Sequence, residues 1–82
     1  MRLDKFLKVS RLIKRRTVAN EACDMGHVAV NDRVARASYD VKVGDRIAIT
    51  FGSHTVRVEV VSVQENAGKS DAALLYRELP RE

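Results

Sequence analysis

The chain predicts an α+β fold in which two short amino-terminal helices pack on a small, mostly antiparallel, twisted sheet. Three observations carry that reading. Apolar residues recur at helical spacing up to Gly26 and at spacing two beyond it, so the preferred backbone changes once. Two turn signals, Asn31-Asp32 and Gly52-Ser53, separate the period-two segments as hairpin loops do. The net charge of +4 is also local. Residues 1–17 carry seven of the fifteen basic residues against one acid, a side-chain charge of +6, whereas the other sixty-five residues carry eight against ten. A basic surface this concentrated is what a polyanion meets first.

The first helix starts at about Leu3. At 100° per residue Leu3, Phe6 and Leu7 share one side, and Arg2, Lys5 and Lys8 the other, so one face docks and one is offered. The pattern breaks at Ser10. Leu12 and Ile13 make a short apolar anchor before Lys14, Arg15 and Arg16. Thr17 is the predicted N-cap of a second helix running to about Met25, with Gly26 as the residue that ends it. That helix begins inside the basic cluster, and helix N-termini and arginines both attract phosphate.

A solvated amphipathic helix is the plain alternative for such a charge run. Against it, acids that would pair at i+4 are nearly absent. Four cations also crowd residues 11–16, where like charges repel unless something anionic compensates them.

Beyond Gly26, Val28 and Val30 share a face and Asn31-Asp32 turns the chain into Arg33-Val34-Ala35, a short hairpin. Arg33 and Arg36 either extend the positive surface or serve as solubilising edge charges. Gly44-Asp45 leads into a strand with Ile47, Ile49 and Phe51 on one face, and a II′-type turn at Gly52-Ser53 returns the chain with Val56, Val58 and Val60 aligned. Past Val60 the apolar register passes to Val61 and Val63, which predicts a bulge or strong twist. Residues 64–70 read as a polar loop. Residues 71–76 are short enough for helix or strand, the helical option capped by Ser70 or Asp71, with the leucines covering an open sheet face.

Eighty-two residues predict one domain, 1–82, with a single core and little room for an enclosed active site. No apolar run approaches eighteen residues and no secretory segment opens the chain, so membrane insertion and export are not expected. A membrane-surface helix is disfavoured by its narrow apolar face. A lone Cys23 excludes an internal disulfide and fits a reducing cytoplasm. With no second cysteine and with His27 and His54 far apart, no zinc ligand set is expected, and no cofactor. Cys23 with a histidine could form a nucleophile pair, but no flanking loop would orient it, and a small packed residue is the simpler reading. The four glycines are isolated, so no phosphate-cradling glycine motif is present.

Arg2-Leu3-Asp4-Lys5, Ser10-Arg11, Lys14-x-Arg16-Thr17-x-Ala19, Gly26-x-Val28-x-Val30-Asn31 and Val43-Gly44-Asp45 together resemble the RNA-binding domain named after small-subunit ribosomal protein four, the alpha-L motif. The resemblance spans about residues 2–49, leaving a hairpin and short tail over 50–82. No catalytic domain of the kind this module often accompanies is expected here, so the chain reads as a non-enzyme. It is most similar to the RqcP family of bacterial ribosome-associated quality control. It also resembles the heat-shock-protein-fifteen family, from which it departs by lacking a long basic carboxyl extension.

The RqcP resemblance implies a cytoplasmic factor on large ribosomal subunits obstructed by peptidyl-tRNA. Such a factor contacts 23S rRNA and the tRNA and supports carboxyl-terminal alanine tailing by the partner RqcH. The alternatives are a heat-shock-protein-fifteen-like recycling factor for the large subunit, or a generic rRNA-binding or protein adaptor module. The resemblance carries RNA contact onto Arg2, Lys5, Arg11 and Arg16, and charge placement adds Lys8, Lys14 and Arg15. Leu3 and Phe6 are assigned to packing and Asp4 to orienting a cation or capping a helix. A monomer is expected. With few aromatics and none among the basic residues of the opening other than Phe6 on the packing side, shape and phosphate recognition fit better than base stacking.

Overall fold

The computed structural model describes residues 1–64 and 74–80. Two helices, α1 (Leu3–Val9) and α2 (Arg16–Asp24), precede five strands: β1 (Val28–Val30), β2 (Arg33–Val34), β3 (Arg46–Phe51), β4 (His54–Val60) and β5 (Tyr76–Glu78). The strands form one sheet in the order β2-β1-β3-β4-β5, every neighbouring pair antiparallel. This is the predicted fold class.

Alternation places Val28, Val30, Ile47, Ile49, Val58 and Val60 on the inner face of the sheet. They join Leu3, Phe6, Leu7, Ile13, Ala19 and Cys23 from the helical half in one core. Burying a side chain such as Phe6 or Leu7 contributes about 1.5–3 kcal/mol. That is what holds two helices of seven and nine residues, too short to persist alone, in place.

Local chemistry explains the turns. At the end of α2, Gly26 sits at φ +78, with its N–H donating to the Cys23 carbonyl and the His27 N–H to the Ala22 carbonyl. This is a Schellman closure, which favours glycine because a Cβ in the left-handed region is strained. Asn31 and Asp32, at φ 52 and 68, make a two-residue turn of the I′ kind between β1 and β2. At the β3–β4 turn only Gly52 has positive φ, as II′ geometry requires.

One expectation needs correction, and the structure sharpens three others. The second helix is not capped by Thr17: it starts one residue earlier, with Arg15 as N-cap and no side-chain cap bond, so its opening N–H groups stand at the basic cluster unpartnered by a capping side chain. Phe51 lies at the exposed end of β3, beyond the reach of the core that covers Ile47 and Ile49. Past Val60, where β4 ends, the expected bulge appears as two residues opposing one, Val61 and Ser62 against Leu75. The Val61 and Ser62 N–H groups both donate to the Leu75 carbonyl and leave Val61 and Val63 exposed. Of the two options left open for the tail, Tyr76 takes the strand: residues 76–78 form an edge strand, because β4 offers an unpaired edge that three residues of backbone can satisfy. Leu75 is fully buried while Leu74 is exposed, so one leucine of the tail covers the core. The polar loop over 65–70 and the cap at Ser70 or Asp71 lie outside the described residues.

Candidate nucleic-acid interface

Arg2 precedes α1 and Arg16 opens α2, and the packing of the two helices brings both to one carboxylate. Asp4 is only 2% exposed. Its Oδ1 accepts from Arg2 Nε at 3.2 Å and from the Lys5 backbone N–H at 2.8 Å. Its Oδ2 accepts from Asn20 Nδ2 at 3.3 Å and from Arg2 Nη2 at 3.4 Å, and lies 3.4 Å from Arg16 Nε. Burial raises the carboxyl's pKa, but the bonds from Arg2, Asn20, Arg16 and the Lys5 N–H together outweigh it and hold the group below the usual carboxylate range.

The cluster holds two cations and one anion, so a positive charge is left over. The Arg2 and Arg16 side chains remain 51% and 48% exposed, each gripped at its Nε edge, with donors left toward solvent. A planar guanidinium fixed in this way is pre-organised for a phosphate, where a free side chain would first have to be ordered. An open groove of about 370 Å³ beside it is lined by Asp4, Arg16, Thr17, Asn20 and Glu21.

Backbone bonds fix the start of α1 against the chain that follows the hairpin. Leu3 and Asp4 N–H groups donate to the carbonyls of Tyr39 and Ala37, and the Met1 ammonium pairs with Asp40 at 2.7 Å. Beneath this segment Asp45, itself buried, accepts from Asn31 Nδ2, the Tyr39 hydroxyl and the Lys42 N–H. Asn31 and Asp45 are therefore structural, a knot that joins the hairpin to β3.

Of the other predicted contacts, Lys5 joins the Asp4 cluster through its backbone N–H, and Lys8, Arg11, Lys14 and Arg15 lie outside it. Lys5 is half-buried on α1, and Lys8 is exposed roughly 9 Å farther along the axis from Arg2. Arg11, Lys14 and Arg15 are exposed on the connector, and among the described residues none of Lys8, Arg11, Lys14 or Arg15 pairs with a carboxylate. Arg11 takes φ +63, in the left-handed region, where its N–H closes α1 by donating to the Lys8 carbonyl. Glycine would be the easier residue there. Sequence reasoning missed Asn20 as the third side chain on Asp4, and only its spacing of one helical turn from Arg16 hinted at it.

Cys23 is buried. Burial, with the negative charges of Asp4 and Asp24, pushes its thiol up to about 11, so it is protonated at neutral pH and lacks the thiolate a nucleophile needs. His27 and His54 are exposed, His27 Nδ1 lying 3.4 Å from the Thr50 carbonyl oxygen. Among the described residues no group of three His, Cys, Asp or Glu is placed to hold a metal, and no helix is long and apolar enough to cross a membrane.

The S4 domain family matches residues 1–47. The RQC P-site tRNA stabilizing factor of Halalkalibacterium halodurans is 55% identical over 76 residues, covering 93% of this chain and 86% of that protein. Its counterpart in Bacillus subtilis is 50% identical over 82 residues, covering 100% and 95%. Among solved structures, the trimeric heat shock protein 15 of Vibrio cholerae superposes with a TM-score of 0.88 at 30% identity, covering 96% of this chain and 81% of that one. The match to the alpha-L part of the chain and the near full-length likeness to these factors place the chain in the RqcP family of S4-domain proteins.

Proposed function

We propose that this chain is an RNA-binding, non-enzymatic factor of ribosome-associated quality control, acting in the cytoplasm. It sits on large subunits obstructed by peptidyl-tRNA, contacts 23S rRNA and the tRNA, and supports RqcH-dependent alanine tailing by steadying the tRNA. A monomer suffices for this role, because the cations it uses come from one copy.

The observation that carries the reading is the Asp4 cluster. It presents Arg2 and Arg16, half-exposed and oriented, at the junction of two helices within a segment of charge +6. Lys5, Lys8, Arg11, Lys14 and Arg15 add phosphate contacts along the band. Such contacts position a protein on folded RNA through shape and backbone, with little reading of bases. The names of the family's relatives support the P-site tRNA as one of the ligands.

Binding to purified large subunits, measured against salt, tests this. With about five phosphates neutralised, the slope of log affinity against log salt is expected at roughly −3.5 to −4.5. Arg2→Ala and Arg16→Ala are each expected to weaken association at matched salt while the far-ultraviolet spectrum stays unchanged. Normal association by both variants sinks the assignment.

A further inference from the structure

The face of the sheet turned away from α1 and α2 has a different chemistry. Antiparallel register sets Val34, Ala29, Ala48 and Arg57 in one row across β2, β1, β3 and β4. The Leu79 N–H, donating to the Arg57 carbonyl at 2.8 Å, continues the row past β5. Because Val28, Val30, Ile47, Ile49 and Val58 point inward, this row points outward. Val34 is 68% exposed over a floor of two alanines.

In the adjacent row Arg46 faces Glu59 across β3–β4, and Glu59 faces Arg77 across β4–β5. Glu59 Oε1 accepts from Arg77 Nη2 at 2.5 Å, which gives that arginine a carboxylate partner. Among the described residues Arg46 and Arg57 have no carboxylate partner. Both line an open groove of about 350 Å³ with Ala48, Leu79, Pro80 and a single acid, Asp32.

We propose that this outer face docks an acidic, partly apolar segment of another protein, with carboxylates on Arg46 and Arg57 and apolar side chains over Ala29, Ala48 and Val34. Unpaired arginines beside an apolar floor are the composition of a protein interface, where a desolvated guanidinium takes a carboxylate in bidentate fashion. An RNA backbone fits less well, since its regularly spaced phosphates would meet two cations where the helical band offers many, and it brings no apolar side chains to the floor of Ala29, Ala48 and Val34. A second copy using the same face would bring its own Arg46 and Arg57 against like charges. None of these residues lies on α1 or α2, so the proposal goes beyond the RNA-binding role and does not depend on it.

Photocrosslinking in cells producing the full chain tests it, with benzoylphenylalanine at Ala48 and, in a second strain, at Val34 in case the first placement disturbs folding. Adducts are purified under denaturing conditions and identified by mass spectrometry and by sequencing of attached RNA. The expected adduct is a protein segment bearing carboxylates. Its yield falls about tenfold or more in Arg46→Glu/Arg57→Glu, persists in Arg46→Lys/Arg57→Lys, and returns to the charge-reversed chain when the segment's carboxylates are changed to lysine. Association of the charge-reversed chain with large subunits is expected to match that of the unaltered chain. Adducts to RNA, to a second copy or to a segment without carboxylates, no adduct from either position, or loss of subunit association on reversal would each overturn the proposal.

Discussion

The helical band and the outer face of the sheet both carry arginines, yet the two surfaces differ in how carboxylates are distributed. On the band one buried acid, Asp4, serves two guanidinium groups, Glu21 lines the groove beside Arg16, and the cations from Lys5 to Arg16 have no acid interleaved in the chain. On the sheet Glu59 takes Arg77 to itself and Asp32 lies beside Arg46 and Arg57. The first arrangement leaves a field that reaches a polyanion at a distance, whereas the second largely cancels beyond a Debye length of about 8 Å and acts by contact. Counting arginines does not separate the two; counting the acids within reach of each does.

The largest effect should come from removing what keeps the two surfaces on opposite sides of one core. Phe6→Ala is expected to cost about 3–5 kcal/mol, read by urea denaturation, and to degrade both surfaces together. Loss of the helical surface alone, with the sheet's stability retained, would mean that the two halves do not share a cooperative core.

Asp4→Asn comes next. It adds one positive charge, so a surface that works only by net charge should bind large subunits more tightly. If Asp4 instead orients Arg2 and Arg16, binding weakens, together with a stability loss of about 1–3 kcal/mol from the broken network. The same substitution bears on acid stability. The folded pKa of Asp4 lies below the unfolded one, so the folded state holds fewer protons and its stabilising term is complete above the unfolded value of about 3.8. That term is lost as pH falls through the folded value. Acid titration of stability should therefore be steeper below pH 4 in the unaltered chain than in Asp4→Asn, and coincident curves would contradict the network.

The smallest effect is expected at Arg11. Arg11→Gly relieves the left-handed backbone at φ +63 and should raise stability or leave it within about 0.5–1 kcal/mol, while weakening subunit association. A variant that is less stable yet binds normally would show that Arg11 is kept for structure, and would remove it from the interface.

Most of the fold was legible because its signals are local. The switch of apolar period at Gly26, the Asn31-Asp32 and Gly52-Ser53 turns and the inward valines of β3 and β4 depend on stereochemistry within a few residues. The register break after Val60 was legible as a bulge, but its partner was not, because the Leu75 carbonyl that captures the Val61 and Ser62 N–H groups comes from a segment distant in the chain. Nor was the start of α2, where Thr17 is a good cap by type but the chain reaches helical geometry at Arg16 without one.

From residue order alone came the α+β class, the confinement of positive charge to the opening segment and the apolar side of the first helix, Leu3, Phe6 and Leu7, that docks on the core. Tertiary structure decided that Arg2 and Arg16, fourteen residues apart in the chain, meet on one buried carboxylate with Asn20, and that Arg46 and Arg57 stand without such a partner among the described residues. The reason is range. Periodicity and turn preference act between near neighbours, whereas the pairing of a charge depends on which distant segment the core brings beside it.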